Sequence, residues 1–161
     1  MRSGAPIWRT AKPATPPKHL VAYFVLVDSA AHSCLLVDHR LAELWLPTGG
    51  HVEPGEDPAS TVARECREEV GFTTPLLDGL TSQPLFVTQR VTGGLDAGHL
   101  DVSLWYVCDA DASRPVEFDP REFRAVRWWR FDELAGADAS RFDPNLPRFL
   151  DKLLSQLDDR R

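Results

Sequence analysis

A chain of 161 residues is long enough for one domain with its own core, and its 43% hydrophobic and 26% charged content is that of a folded globular protein. No apolar run approaches the roughly 20 residues that a membrane-crossing helix needs, so a membrane span is excluded. Eighteen Lys and Arg against 24 Asp and Glu give a formal charge of −6. That is the wrong sign for gripping a nucleic-acid backbone, so a small molecule rather than a nucleic-acid polymer is the expected substrate.

Residues 1–18 hold four basic residues, no acidic ones, and Pro6, Pro13, Pro16 and Pro17, a composition that favours an extended or disordered, flexible arm whose Trp8 can still dock on the domain body. The basic arm, the apolar run 20–27 and Ser29-Ala30-Ala31 loosely imitate a secretory signal. The run is short, Asp28 interrupts it, and cleavage there would delete a core strand, so the expected location is cytoplasmic. Runs 19–27 and 34–37, separated by the turn-prone Asp28-Ser29-Ala30-Ala31, read as a hairpin. Residues 44–46 form a third short strand, stopped by Pro47 and by Gly49-Gly50.

A helix follows, with Asp57 as N-cap, Pro58 at the first helical position and Gly71 just past the end. Strands at 85–91 and 99–108 flank a turn over 93–98, and another strand covers 126–131. A last helix starts near Asp143-Pro144, with Leu146, Phe149, Leu150, Leu153, Leu154 and Leu157 on one face. Cys34, Cys66 and Cys108 are far apart and odd in number, and read as small buried apolar residues rather than a disulfide framework.

Within the first helix, Glu65, Glu68 and Glu69 share one arc, while Ala59, Val62, Cys66 and Val70 form an apolar arc away from them. Like charges at such spacing destabilise a helix by a few tenths of a kcal/mol per pair. Arg64 offsets part of this, but one guanidinium does not balance three carboxylates with Glu56 just upstream. A magnesium ion does, since it takes a few carboxylate oxygens and completes its octahedron with water and phosphate; manganese serves similarly. Taken alone, the cluster reads more readily as a solvated helix face, and spacing does not decide between the two.

The segment 50–72, GHVEPGEDPASTVARECREEVGF, resembles the Nudix box, GX5EX7REUXEEXGU with U apolar, at every fixed position: Gly50, Glu56, Arg64, Glu65, Glu68, Glu69 and Gly71. Cys66 and Phe72 fill the U positions, and the LWLPTGGHVEPGE approach and VRWWRFDEL extend the likeness over roughly residues 19 to 157. The resemblance implies an α/β/α sandwich with a mixed central sheet, in a domain covering 19–161. It implies Glu65, Glu68 and Glu69 as ligands of magnesium or manganese, Glu56 in a supporting role, Arg64 orienting the cluster and Gly50 offering its carbonyl oxygen. The implied reaction is hydrolysis of a phosphoanhydride in a nucleoside diphosphate linked to another moiety, or in a nucleoside triphosphate. Within the family the general base varies; Glu65 stands first, with Glu122, six residues before Trp128, as its rival.

His99 and Asp101, two apart on a strand, share a sheet face with Ser103 and Trp105 and can reach a substrate together, packing or a structural His–Asp hydrogen bond being the other reading. His51, next to Gly50, resembles the residue found there in bacterial Nudix proteins with a GGHVEPGE-type box and a similar His-x-Asp strand, which implies a substrate-pocket role; an exposed loop imidazole is the other reading. Trp45, Phe86, Trp105 and Trp128 are candidates to stack on a base, with packing favoured for most, and Trp128-Trp129 must face opposite ways. A non-catalytic nucleotide-binding sensor is the alternative function, but such modules usually lose box residues and none is lost here. Isomerisation of a diphosphate ester needs extra metal-binding histidines and a reactive Cys–Glu arrangement that the sequence does not assemble. A homodimer is compatible with the chain, and nothing in the sequence requires one.

Overall fold

The computed structural model describes residues 18–73, 83–91 and 98–159. The expected N-terminal arm, apart from Lys18, and all but the last residue of the turn at 93–98 lie outside them. In chain order the elements are β1 (Lys18–Asp28), β2 (Ser33–His39), β3 (Leu44–Leu46), β4 (Thr48–His51), α1 (Pro58–Val70), β5 (Phe86–Val91), β6 (Leu100–Asp109), β7 (Phe123–Arg130), α2 (Phe131–Gly136) and α3 (Leu146–Asp158), with a short 3-10 turn at Ala139–Arg141. Among the described residues no helix is long and apolar enough to cross a membrane. The expected α/β fold with a mixed sheet is the one observed.

β1 is the central strand. Along one edge it pairs in parallel with β6, from Lys18↔Leu100 to Val27↔Asp109. Its other edge is shared: Val27 and Asp28 pair with β2, and Val21 to Phe24 pair with β4. β2 is divided in the same way, taking β7 along one edge and β3 on the other through Val37, Asp38 and His39. The β1–β2 hairpin therefore opens after two residue pairs. The segment 44–51 fills the opening, pairing first with β2, then, beyond Pro47, with β1. Sequence reading takes Gly49-Gly50 as the end of a strand, whereas the structure makes them the middle of β4. A β-carbon on Gly49 would run into the Ala22 carbonyl of β1, so the pair is needed for close backbone approach rather than for a turn.

Strand alternation then builds the two larger of three hydrophobic clusters found among the described residues. Ala22, Phe24 and Leu26 of β1 join Tyr106 and Cys108 of β6 under Val62, Cys66 and Val70 of α1. Val25 and Val27, with Trp105 and Val107, face the other way and are covered by Phe149, Leu150 and Leu153 of α3. Trp129 belongs to the α3 side and Trp128 packs on the α1 side, as their adjacency requires. All three cysteines are free and buried, and burial pushes the thiols of Cys34 and Cys66 up to about 12. They are apolar filler, and no reactive thiol arises among them.

The ends of α1 follow from the sequence. The Asp57 side chain accepts from the amides of Ala59 and Ser60 at 3.1 and 3.2 Å, and Gly71 takes the left-handed conformation, φ 70°, that a residue with a β-carbon resists. Asp57→Ala should lower stability by about 1 kcal/mol. For a chain this size that is a drop of about 2–4 °C in the thermal midpoint, read by differential scanning calorimetry.

Candidate active site

The rotation of α1 about its axis is fixed by the apolar arc it buries, and this sets where its carboxylates point. Glu65 and Glu69 face β4 and line a cavity of about 540 Å³ at the opening between β1 and β2. That volume suits a small-molecule ligand. Lining it with them are Tyr23 of β1, Gly50 and His51 of β4, Arg90 of β5, Asp101 of β6, Glu122 before β7 and Asp143 before α3.

The Glu65 carboxylate lies directly over Gly50, where any β-carbon would overlap it. Glu69 accepts a hydrogen bond from the Thr48 hydroxyl. Burial, with Glu65 and Glu122 beside it, raises the Glu69 carboxyl to about 9, and burial also raises that of Glu65. Glu122 faces both Glu65 and Glu69 closely enough for its charge to act on each, so the second base candidate lies beside the cluster. Its position is held by the backbone, whose carbonyl accepts from the Arg40 amide at 2.9 Å.

Arg64 takes the other side of the cluster. Its Nε and Nη2 meet both oxygens of Glu56 at 3.1 Å, and its Nη1 reaches Glu65 Oε1 at 2.6 Å and Glu68 Oε2 at 3.6 Å. The guanidinium and the Glu53 amide hold the Glu56 carboxyl down to about 2. Arg64 thus braces Glu65 from outside the cavity. Of the residues expected from sequence, Gly50, His51, Glu65, Glu69, His99, Asp101 and Glu122 come together in one wall. Glu56 is turned to Arg64, and Glu68 stands outside the wall with its side chain 59% exposed.

The stacking candidates do not reach the cavity. Trp45 packs edge-on against Trp129, Phe86 and Trp105 pack with Phe149, and Trp128 covers the α1-side core. The aromatic ring that does line it is Tyr23, whose hydroxyl burial keeps protonated. His19 was not expected from sequence and is fully buried beside His51 and His99. Its signal was present, since it begins the alternating set His19, Val21, Tyr23 on the cavity face of β1.

Among the described residues the wall carries five carboxylates, Glu65, Glu69, Asp101, Glu122 and Asp143, against two guanidiniums, Arg90 and Arg121. Arg90 is already engaged with Asp143 at 3.5 Å. A diphosphate meets repulsion in such a cavity unless cations come with it. Crowded, partly buried carboxylates beside an approachable glycine backbone are a donor set that suits a hard divalent ion.

The raised Glu69 carboxyl has a thermodynamic sign. The folded chain holds this proton more tightly than the unfolded chain does, so metal-free stability falls as pH rises from its ordinary 4.5 through about 9. Metal-free Glu69→Gln should lose less over that window and melt higher than wild type at pH 8, by about 2–4 °C for each kcal/mol relieved. Equal pH slopes of the melting midpoint in the two proteins would contradict the reading. Gly50→Ala should displace Glu65 and cost about 100-fold in turnover, measured at saturating substrate.

Comparison with known proteins agrees with this geometry. The sequence pattern of the NUDIX domain matches residues 17–153. The crystal structure of a NUDIX-family hydrolase from Clostridium perfringens superimposes with a TM-score of 0.65 at 21% identity, covering 84% of this chain and 95% of that one. The NUDIX domain of Shewanella oneidensis NrtR, complexed with ADP ribose, gives 0.64 at 16% identity, covering 86% and 88%. In sequence, the NAD-capped RNA hydrolase NudC of Enterobacter sp. is 33% identical over 105 residues, which is 63% of this chain and 36% of that protein. The CMP-5'-(N-acetyl-N-hydroxy-3-aminopropyl)phosphonate hydrolase of Streptomyces rubellomurinus is 32% identical over 119 residues, 71% of this chain and 52% of that protein. The chain spans about a third and about half of the lengths of these two relatives. With the complete box, its helix-and-glycine geometry and the domain match over most of its length, the chain belongs to the Nudix hydrolase family.

Proposed function

We propose that this chain is a magnesium- or manganese-dependent pyrophosphohydrolase that cleaves the phosphoanhydride of a nucleoside diphosphate joined to a second moiety. The observation that carries the reading is the convergence of Glu65, Glu69 and Glu122 on one wall beside the Gly50 backbone. A pocket built only to bind a nucleotide has no use for carboxylates crowded together where phosphates would lie. Gly50, Glu65 and Glu69 would hold the ion, with Glu68 and Glu56 at its outer side. A divalent ion there supplies a lowered pKa for bound water and offsets charge on the phosphate oxygens.

The chain's own groups do the rest. Glu65, over Gly50 and braced by Arg64, would take the proton of the attacking water, with Glu122 as the rival acceptor. Water adds to phosphorus, the anhydride oxygen leaves, and two phosphate-bearing products result. Tyr23 lines the same cavity from β1. The NAD-capped end, the CMP-linked phosphonate and the ADP ribose named for three related proteins are each a nucleotide joined to something else, which supports that substrate class.

Incubation with magnesium and a panel of dinucleotides, sugar nucleotides, capped ends and nucleoside triphosphates, with products identified by mass spectrometry, tests the reading. Cleavage of at least one of them at the anhydride is expected, and inertness across the whole panel with either ion would contradict it. On the active substrate, the residue that accepts the proton is the one whose Glu→Gln variant, at 65 or at 122, lowers kcat by about 100- to 10,000-fold.

A further inference from the structure

Three imidazoles and one carboxylate converge beside the acidic wall. His19 lies on β1, His51 ends β4, Asp101 is on β6 and His99 stands one residue before β6. Strand register explains the meeting. His19 is the direct partner of Asp101 across the parallel β1–β6 ladder, and His51 is the partner of Val21, two residues along β1 and therefore on the same face. His19 Nδ1 is 3.1 Å from His51 Nε2. One oxygen of Asp101 lies 3.7 Å from His19 Nδ1, 4.0 Å from His51 Nε2 and 3.5 Å from His99 Nε2.

All four ligand atoms fall within 4.8 Å of one another. Nitrogen and oxygen ligands at ordinary zinc bond lengths stand about 3.4 Å apart around a tetrahedral ion. Four of the six separations, at 3.1–4.0 Å, bracket that spacing, and the remaining two are within 4.8 Å. Because strands rather than loops carry three of the four groups, the arrangement is preorganised.

We propose that His19, His51, His99 and Asp101 form a second metal site, distinct from the acidic face of α1, which takes a zinc-class transition ion rather than magnesium. Imidazole nitrogen suits zinc, iron, cobalt and nickel, whereas magnesium prefers an all-oxygen shell and keeps its waters. Charge also favours it, because the surrounding wall has an excess of carboxylates. His19 is buried behind the other three, while His51, His99 and Asp101 line the cavity, so the site borders the proposed substrate space. His51 directly follows Gly50, and β4 therefore ties this site to the acidic one. The site goes beyond the proposed hydrolysis and does not depend on it; the strand register assembles the histidines that sequence spacing alone does not bring together.

The competing arrangement is a His–Asp hydrogen-bonded cluster that holds no ion. Chelator-stripped full-length protein, titrated with Co2+ in the absence of magnesium, separates the two. One equivalent should bind with a strong visible band of four- or five-coordinate cobalt, and one equivalent of Zn2+ should displace it. His99→Gln and the more exposed His51→Gln should each weaken Co2+ binding by about 10- to 100-fold or more. Glu65→Gln and Glu69→Gln should keep the band. Circular dichroism establishes that each variant is folded, and His51→Gln serves if His99→Gln is not. Absence of the band in folded wild type overturns the site, as does a band that survives the histidine variants or disappears in the glutamate ones.

Discussion

Glu65 and Glu69 are held next to one another, partly out of water, with Glu122 against them, and the rest of the site is arranged around that repulsion. Nothing in the helix itself would choose this. The choice is made by Val62, Cys66 and Val70, which must lie on Phe24, Leu26 and Tyr106 to close the core on that side of the sheet and so leave the carboxylates only one direction to face. Burial of those apolar groups contributes several kcal/mol, against a few tenths for each like-charge pair along the helix, so packing wins and the charges stay together. Arg64 does not relieve the inner pair fully, because its fork is spent on Glu56 and only one nitrogen is close to Glu65. What remains is an excess of carboxylates facing a cavity, a lining that suits a divalent ion.

The sheet supplies the place where this happens. By parting after two residue pairs, β1 and β2 leave an opening that β3 and β4 fill at different edges, and β4 brings Gly50 under Glu65 and His51 to His19. One four-residue strand thus borders two groups of ligand-type side chains with different chemistry, carboxylates on one side and imidazoles on the other. The first group suits hard ions that bridge phosphates. The second suits ions that prefer nitrogen, and it is positioned by the same register that positions the substrate wall.

Much of this was legible in the residues. The capped helix 58–70, the hairpin of β1 and β2, the pairing of β5 with β6 and the apolar face of α3 all follow from turn chemistry and periodicity. β4 was not legible, because Gly49-Gly50 has the composition of a turn, and only the approach of the β1 backbone explains why glycine sits inside a strand. α2 was missed because its six residues follow β7 without a break, and Phe131, expected in the strand, is already helical. For the site, spacing placed Glu65, Glu68 and Glu69 on one arc but did not distinguish the buried pair from exposed Glu68, a difference set by which side of that arc meets β4. His51, His99 and Asp101 could be named individually, while His19 could join them only once the parallel β1–β6 register was known, since it is 80 residues away from His99 in sequence.

If Glu65 and Glu69 hold the ion as proposed, its uptake displaces the proton that burial keeps on Glu69. Calorimetric titration of the chain with magnesium at pH 7.5, in two buffers of different ionisation enthalpy, counts that proton directly. Release of a proton for each ion bound, lost in Glu69→Gln, is the expected result; binding with no proton released, or no binding in the presence of a nucleotide, would contradict the account.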